Sequence, residues 1–129
     1  MTAPEPSGPA GAQHLLLVDD DDDLAQVVSR ALVRRSFQVH RARTGSEALA
    51  SLPNLQRLDA AVVDLVLPGA GGIEVVRAVR RAFPGCRIVA MTGLDEPVME
   101  RALLEAGADV FLGKPVELAT LYAALAPRT

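Results

Sequence analysis

Short apolar runs in this chain end on residues that handle charge. The run 15–18 is followed by Asp19 and Asp20, and the run 60–63 by Asp64. The run 110–112 leads through Gly113 to Lys114-Pro115, fifty residues after Asp64, and a further run, 88–91, closes on Thr92. An acid that closes a wholly apolar strand is costly unless it is paired. In an open parallel sheet, polar residues at the carboxyl ends of the strands converge on a crevice where ligands bind. Asp19 and Asp20 beside Asp64 offer hard oxygen donors suited to a divalent cation. Carboxylates at about 4 Å repel by about 4 kcal/mol at an effective dielectric near 20, so such a cluster favours a cation. A lysine with a hydroxyl suits an anion, and the anion most naturally shared with a hard cation is a phosphoryl group.

The elements that must position these residues follow from periodicity. Residues 15–18 read as a buried strand, after which Leu24, Val27, Val28, Ala31 and Leu32 recur at helical spacing, with Asp22 or Asp23 placed to cap the first turn. Residues 37–41 form a partly polar strand, expected at an edge. Thr44 and Glu47 have capping-box spacing and open a short helix to Leu52, ended by Pro53 and Asn54. The uninterrupted apolar strand 60–64 is expected at the centre of the sheet, covered on both faces. A loop over 68–72 leads to a helix whose inner stripe is Ile73, Val76, Val79 and Phe83. Strand 87–91, helix 95–106 with Gly107 as a left-handed cap, strand 110–112 and helix 116–126 complete the pattern. Five strands alternating with five helices predict a doubly wound α/β domain.

Composition narrows the function classes. The chain of 129 residues has the length of one domain, and its net charge of −3 gives no electrostatic reason to expect nucleic acid or an anionic membrane as partner. Cys86 is the single cysteine, so no intrachain disulfide forms, and it reads as a buried, inert thiol. Residues 1–12 are rich in Pro, Gly, Ala and Ser, without a basic start or an apolar run. They are expected to be a flexible tail before a domain over 13–127, and not a signal peptide. No apolar stretch approaches membrane-spanning length, and the expected location is the cytoplasm. Asp21, Asp22 and Asp23 are expected to face solvent or cap the helix, and His14 and His40 to be structural.

With these residues in this order, the chain resembles the receiver domains of two-component response regulators, the chemotaxis receiver among them, over about residues 14–126. The resemblance implies a flavodoxin-like sheet of order 2-1-3-4-5 and Asp64 as phosphoacceptor. It implies that Asp20, Asp64 and the backbone carbonyl of Val66 hold Mg²⁺, with Mn²⁺ as a substitute, and that Asp19 acts through a bound water. Lys114 and Thr92 would meet the phosphoryl oxygens, and the Lys114-Pro115 bond would be cis. Thr92, Phe111 and Pro115 would form the switch, with Phe111 standing where the family often has Tyr. Val66 and Leu94 would flank the path of the hydrolytic water. Gly71 stands where an acid is frequent. The implied phosphodonor is a sensor histidine kinase or a histidine phosphotransfer protein of a bacterial two-component or phosphorelay system. The output would be a contact with an unknown downstream protein through the Leu104, Phe111 and Leu118 face, with no direct nucleic-acid or membrane contact. The domain would catalyse only its own phosphorylation and dephosphorylation. Because the chain stops soon after its fifth helix, a stand-alone receiver is expected; the alternative is the receiver part of a longer regulator with an output domain. An aspartyl-phosphate phosphatase of the haloacid dehalogenase type is disfavoured, since Val66 occupies the place of its second Asp.

Overall fold

The computed structural model describes residues 12–65, 71–93 and 97–126. The apolar runs form β1 (Gln13–Val18), β2 (Phe37–Ala42), β3 (Ala60–Asp64), β4 (Arg87–Thr92) and β5 (Val110–Gly113). Between them lie α1 (Asp22–Arg34), α2 (Gly45–Ser51) with a 3₁₀ turn over Leu52–Asn54, α3 (Gly72–Ala82) and α4 (Pro97–Ala106), and α5 (Leu118–Leu125) follows β5. The strands make one sheet in the order β2-β1-β3-β4-β5, parallel at every pairing.

Period-two alternation splits the core into layers on either side of the sheet. Leu15 and Leu17 of β1 face Ala25, Val28 and Leu32 of α1 and Leu121, Ala124 and Leu125 of α5. Leu16 and Val18 face Ala48 of α2, Val75, Val76 and Val79 of α3, and Leu103 and Ala106 of α4. Every residue of β3 is buried, as its apolar character predicts for a central strand, and β2 with its half-buried residues lies at an edge.

The differences from the sequence-based boundaries have local causes. β1 begins at Gln13 rather than Leu15, because Gln13 and His14 pair with Phe37 and Gln38 through the backbone, which needs no apolar side chain. Ala12, in the expected tail, is already buried. Asp21, not Asp22 or Asp23, caps α1: its carboxylate accepts the Leu24 N–H at 3.1 Å. Thr44 caps α2 as expected, accepting the Glu47 N–H at 3.0 Å. The inner stripe of α3 includes Val75, which the spacing overlooked, while Ile73 and Phe83 lie at its margin. α5 starts only at Leu118, because Glu117 is extended as its N-cap. Gly107 does take the left-handed region, at φ 121°.

Candidate functional site

The carboxyl ends of β1, β3, β4 and β5 meet along one rim of the sheet. Asp19 follows β1 and prolongs its pairing with β2, since its N–H donates to the Ala42 carbonyl at 3.1 Å. Its carboxylate is buried and accepts the Asp21 N–H at 2.9 Å. Asp20 beside it is exposed. Asp64 closes β3 and is only 4% exposed. One carboxylate oxygen from each of Asp19, Asp20 and Asp64 lies within 4.8 Å of the others.

Lys114 reaches this cluster from beyond β5, its Nζ 2.6 Å from Asp64 Oδ2. Its backbone is fixed as well, for the Lys114 N–H donates to the Thr92 carbonyl at 2.6 Å, and the Lys114-Pro115 bond is cis. Thr92 ends β4 and is buried. The Leu65 N–H donates to the Met91 carbonyl at 2.8 Å, holding the chain just after Asp64 against β4. From the other side α3 presses in: a Cβ on Gly72 would lie 2.8 Å from the Asp64 carbonyl oxygen and 2.8 Å from Leu65 Cα, so this approach requires glycine. Gly71 caps α3 without a side-chain bond.

The electrostatics follow from this crowding. Burial raises the Asp19 carboxyl above its ordinary range; the Asp64 and Asp20 charges add to the rise, while the Asp21 N–H and Lys114 oppose it. Burial alone would lower the Lys114 ammonium, but its bond to Asp64 and the charges of Asp64, Asp19 and Asp20 outweigh burial and hold it raised. Lys114 therefore stays charged, and the clustered acids still lack full compensation. Carboxylate oxygens alone, spaced within 4.8 Å, fit a hard divalent cation.

The structure thus brings together Asp19, Asp20, Asp64, Thr92 and Lys114. Val66 and Leu94 lie outside the described residues. Phe111 is half-buried against the layer of α2, α3 and α4, Leu118 is half-buried in the layer of α1 and α5, and Leu104 is 45% exposed. Sequence reasoning missed Arg41, whose Nη2 donates to the Asp19 carbonyl at 2.8 Å while its Nη1 lies 2.8 Å from Asp22 Oδ1. Strand alternation could have found it: Arg41 follows Phe37 and Val39 onto the α1 side of the edge strand, beside the start of that helix.

An open parallel sheet with acids and a lysine gathered at its strand ends defines a flavodoxin-like α/β domain with a cation- and anion-ready crevice. The family model of the response regulator receiver domain matches residues 15–126, and the chain belongs to that family, the signalling domains of two-component systems. It is 41% identical over 113 residues to the transcriptional regulatory protein PrrA of Mycobacterium tuberculosis, covering 85% of this chain and 47% of that protein. It is 36% identical over 107 residues to a cyclic di-GMP phosphodiesterase of Thermotoga maritima, covering 83% of this chain and 28% of that protein. The chain therefore spans about half the length, or less, of these curated relatives. A response regulator from Burkholderia pseudomallei, solved with a phosphorylated aspartic acid, calcium ion and citrate, superposes with a TM-score of 0.82 at 28% identity, over 88% of this chain and 66% of that one. A CheY-like receiver domain protein from Methanospirillum hungatei superposes with a TM-score of 0.81 at 28% identity, over 87% and 89% of the respective chains.

Proposed function

We propose that this domain is a phosphoacceptor switch in which Asp64 takes a phosphoryl group from a phosphohistidine. The observation that carries the reading is the buried Asp64 carboxylate, 2.6 Å from the Lys114 ammonium and within 4.8 Å of the Asp19 and Asp20 oxygens. An Asp64 oxygen attacks phosphorus, the N–P bond breaks with its electron pair leaving on the imidazole nitrogen, and an acyl phosphate results. Such a transfer needs positioning and charge neutralisation more than proton abstraction. Lys114 supplies a compact positive charge to one phosphoryl oxygen, and the Thr92 hydroxyl donates to another. Asp19, Asp20 and Asp64 would hold Mg²⁺, or Mn²⁺ in its place, with the Val66 carbonyl as a further donor. That cation, when bound, neutralises phosphoryl charge and offsets the repulsion among the acids. The phosphorylated aspartic acid and calcium ion of the Burkholderia pseudomallei regulator support this reading.

The donor is a sensor histidine kinase or histidine phosphotransfer protein, and the output is a protein contact on the Leu104, Phe111 and Leu118 face, in the cytoplasm. Thr92, Phe111 and Pro115 link the site to that face. The coverage of 28–47% of the curated relatives favours a second reading beside the stand-alone one, in which this domain switches a longer regulator. The test is phosphorylation by acetyl phosphate with Mg²⁺, read by intact-protein mass. The wild type should gain a phosphoryl group and Asp64→Asn should not; undiminished labelling of Asp64→Asn would remove Asp64 from its role.

A further inference from the structure

We propose that Arg41 is a positioning residue that sets which acids of the run 19–23 face the cation. This rests on the phosphoacceptor reading of the same site. All five consecutive residues are Asp, and composition alone gives each the same claim on a cation. The fold separates them. Asp19 and Asp20 join Asp64 in the group of close oxygens, Asp21 caps α1, Asp22 is drawn to β2, and Asp23 is exposed in the first turn of α1.

Arg41 touches this run at two points, 2.8 Å from the Asp19 carbonyl through Nη2 and 2.8 Å from Asp22 Oδ1 through Nη1. A guanidinium is a rigid planar fork, so gripping both points fixes their separation. Holding the Asp19 carbonyl orients the Asp19–Asp20 peptide, and thereby the directions in which the two side chains leave it. Holding Asp22 keeps that carboxylate outside the crevice, with Arg43 Nε adding a second contact at 3.3 Å. The Arg41 Nε is buried with no hydrogen-bond partner among the described residues, which makes the arrangement a poor device for stability alone.

The experiment compares the wild-type chain with Arg41→Ala, Arg41→Lys, Asp22→Asn and Asp20→Ala. Mn²⁺ binding is followed by electron paramagnetic resonance, and phosphorylation by acetyl phosphate is followed against Mg²⁺ concentration. Arg41→Ala should weaken Mn²⁺ binding by about tenfold or more, the usual scale for losing a group that orients metal ligands. The Mg²⁺ concentration for half-maximal phosphorylation should rise by more than the maximal rate falls. Arg41→Lys should weaken binding too, since one ammonium cannot bridge both points, whereas Asp22→Asn should stay within about twofold of wild type because its amide Oδ1 can still accept from Arg41 Nη1. Wild-type Mn²⁺ affinity in both Arg41 variants, with or without a lowered melting temperature in chelator, overturns the inference. Should Arg41→Ala fail to fold, Arg41→Lys decides alone. If the wild-type chain binds no Mn²⁺, or Asp20→Ala binds it equally well, the parent reading falls and takes the inference with it.

Discussion

Burial pushes the Asp19 carboxyl upward, and the Asp64 and Asp20 charges push the same way against the Asp21 N–H and Lys114. A raised native value means that the folded chain keeps a proton the unfolded chain would release. The stability from that proton is complete below the unfolded value and is lost as pH rises through the folded one. At neutral pH the metal-free protein therefore carries a penalty at Asp19. Asp19→Asn, which retains an oxygen for the Asp21 N–H, should stabilise the metal-free protein, because the buried carboxylate charge is removed. Urea unfolding in chelator measures this, and added Mg²⁺ should narrow the difference by stabilising the wild type. At this scale the sequence was highly legible, because Asp19, Asp20, Asp64, Thr92 and Lys114 each declare themselves at the end of an apolar run. Arg41 was less legible: alternation places it on the α1 side of β2, but one of its two partners is the Asp19 carbonyl, whose place depends on the pairing of β1 with β2 and leaves no mark in composition.

Between elements, Arg80 adds a polar fastening to the apolar packing of α3. Its guanidinium donates to the carbonyls of Gly107, Pro84 and Cys86 and to Asp109 Oδ2, at 2.7–3.0 Å. Asp109 Oδ2 in turn accepts the Ile88 N–H at 2.8 Å, so one side chain ties α3 to the start of β4 and to the turn after α4. Arg80→Ala should cost about 2–4 kcal/mol, since it leaves several half-buried acceptors unmet, and should lower the urea midpoint while sparing Mg²⁺ affinity. The pairing of β1 with β2 contains a different fastening. His14 Nδ1 and His40 Nε2 lie 3.0 Å apart, with ring planes 13° from parallel, so one proton bridges them. Burial and then the His14 charge lower the His40 value. The unfolded chain thus takes up a proton first, and stability present above the unfolded value is lost as pH falls through the folded one. The urea midpoint should drop as pH falls below about 7, where the unfolded imidazole begins to take up its proton, and His40→Gln should flatten that drop. Sequence reading treated both histidines as structural, yet their contact arises from diagonal neighbours on adjacent strands, a relation that only register supplies.

Across the whole molecule, five alternating units set every strand parallel and deliver all the polar strand ends to one rim. That much was legible, because buried runs and helical stripes alternate without interruption; where helices start was less so, since caps such as Asp21 and Glu117 obey backbone geometry more than apolar spacing. Among the described residues no helix is long and apolar enough to cross a membrane. The β5 edge lies far along the sheet from β1, with α4 covering one face and α5 the other. Leu104 of α4 is exposed to 45% and Leu118 of α5 is half-buried, the apolar residues of the proposed partner face. If the output is read there, Leu104→Lys and Leu118→Lys should each weaken a phosphorylation-dependent association by about tenfold, equivalent to about 1.4 kcal/mol. Beryllofluoride-activated pull-down or sedimentation measures this, and intact association in both variants would move the output surface elsewhere.

Cys86 sits just before β4, buried, and burial pushes its thiol up to about 12. Since the thiolate is the species that reacts with maleimides and iodoacetamides, a buried thiol held so high should leave the native chain unreactive toward such reagents. A spectroscopist therefore inherits a blank background. A cysteine introduced at an exposed position, such as Leu104→Cys, should accept a nitroxide or a dye selectively while Cys86 stays in place. A label there would report whether the surroundings of α4 change on phosphorylation, in a protein with no native residue altered at the phosphoacceptor rim.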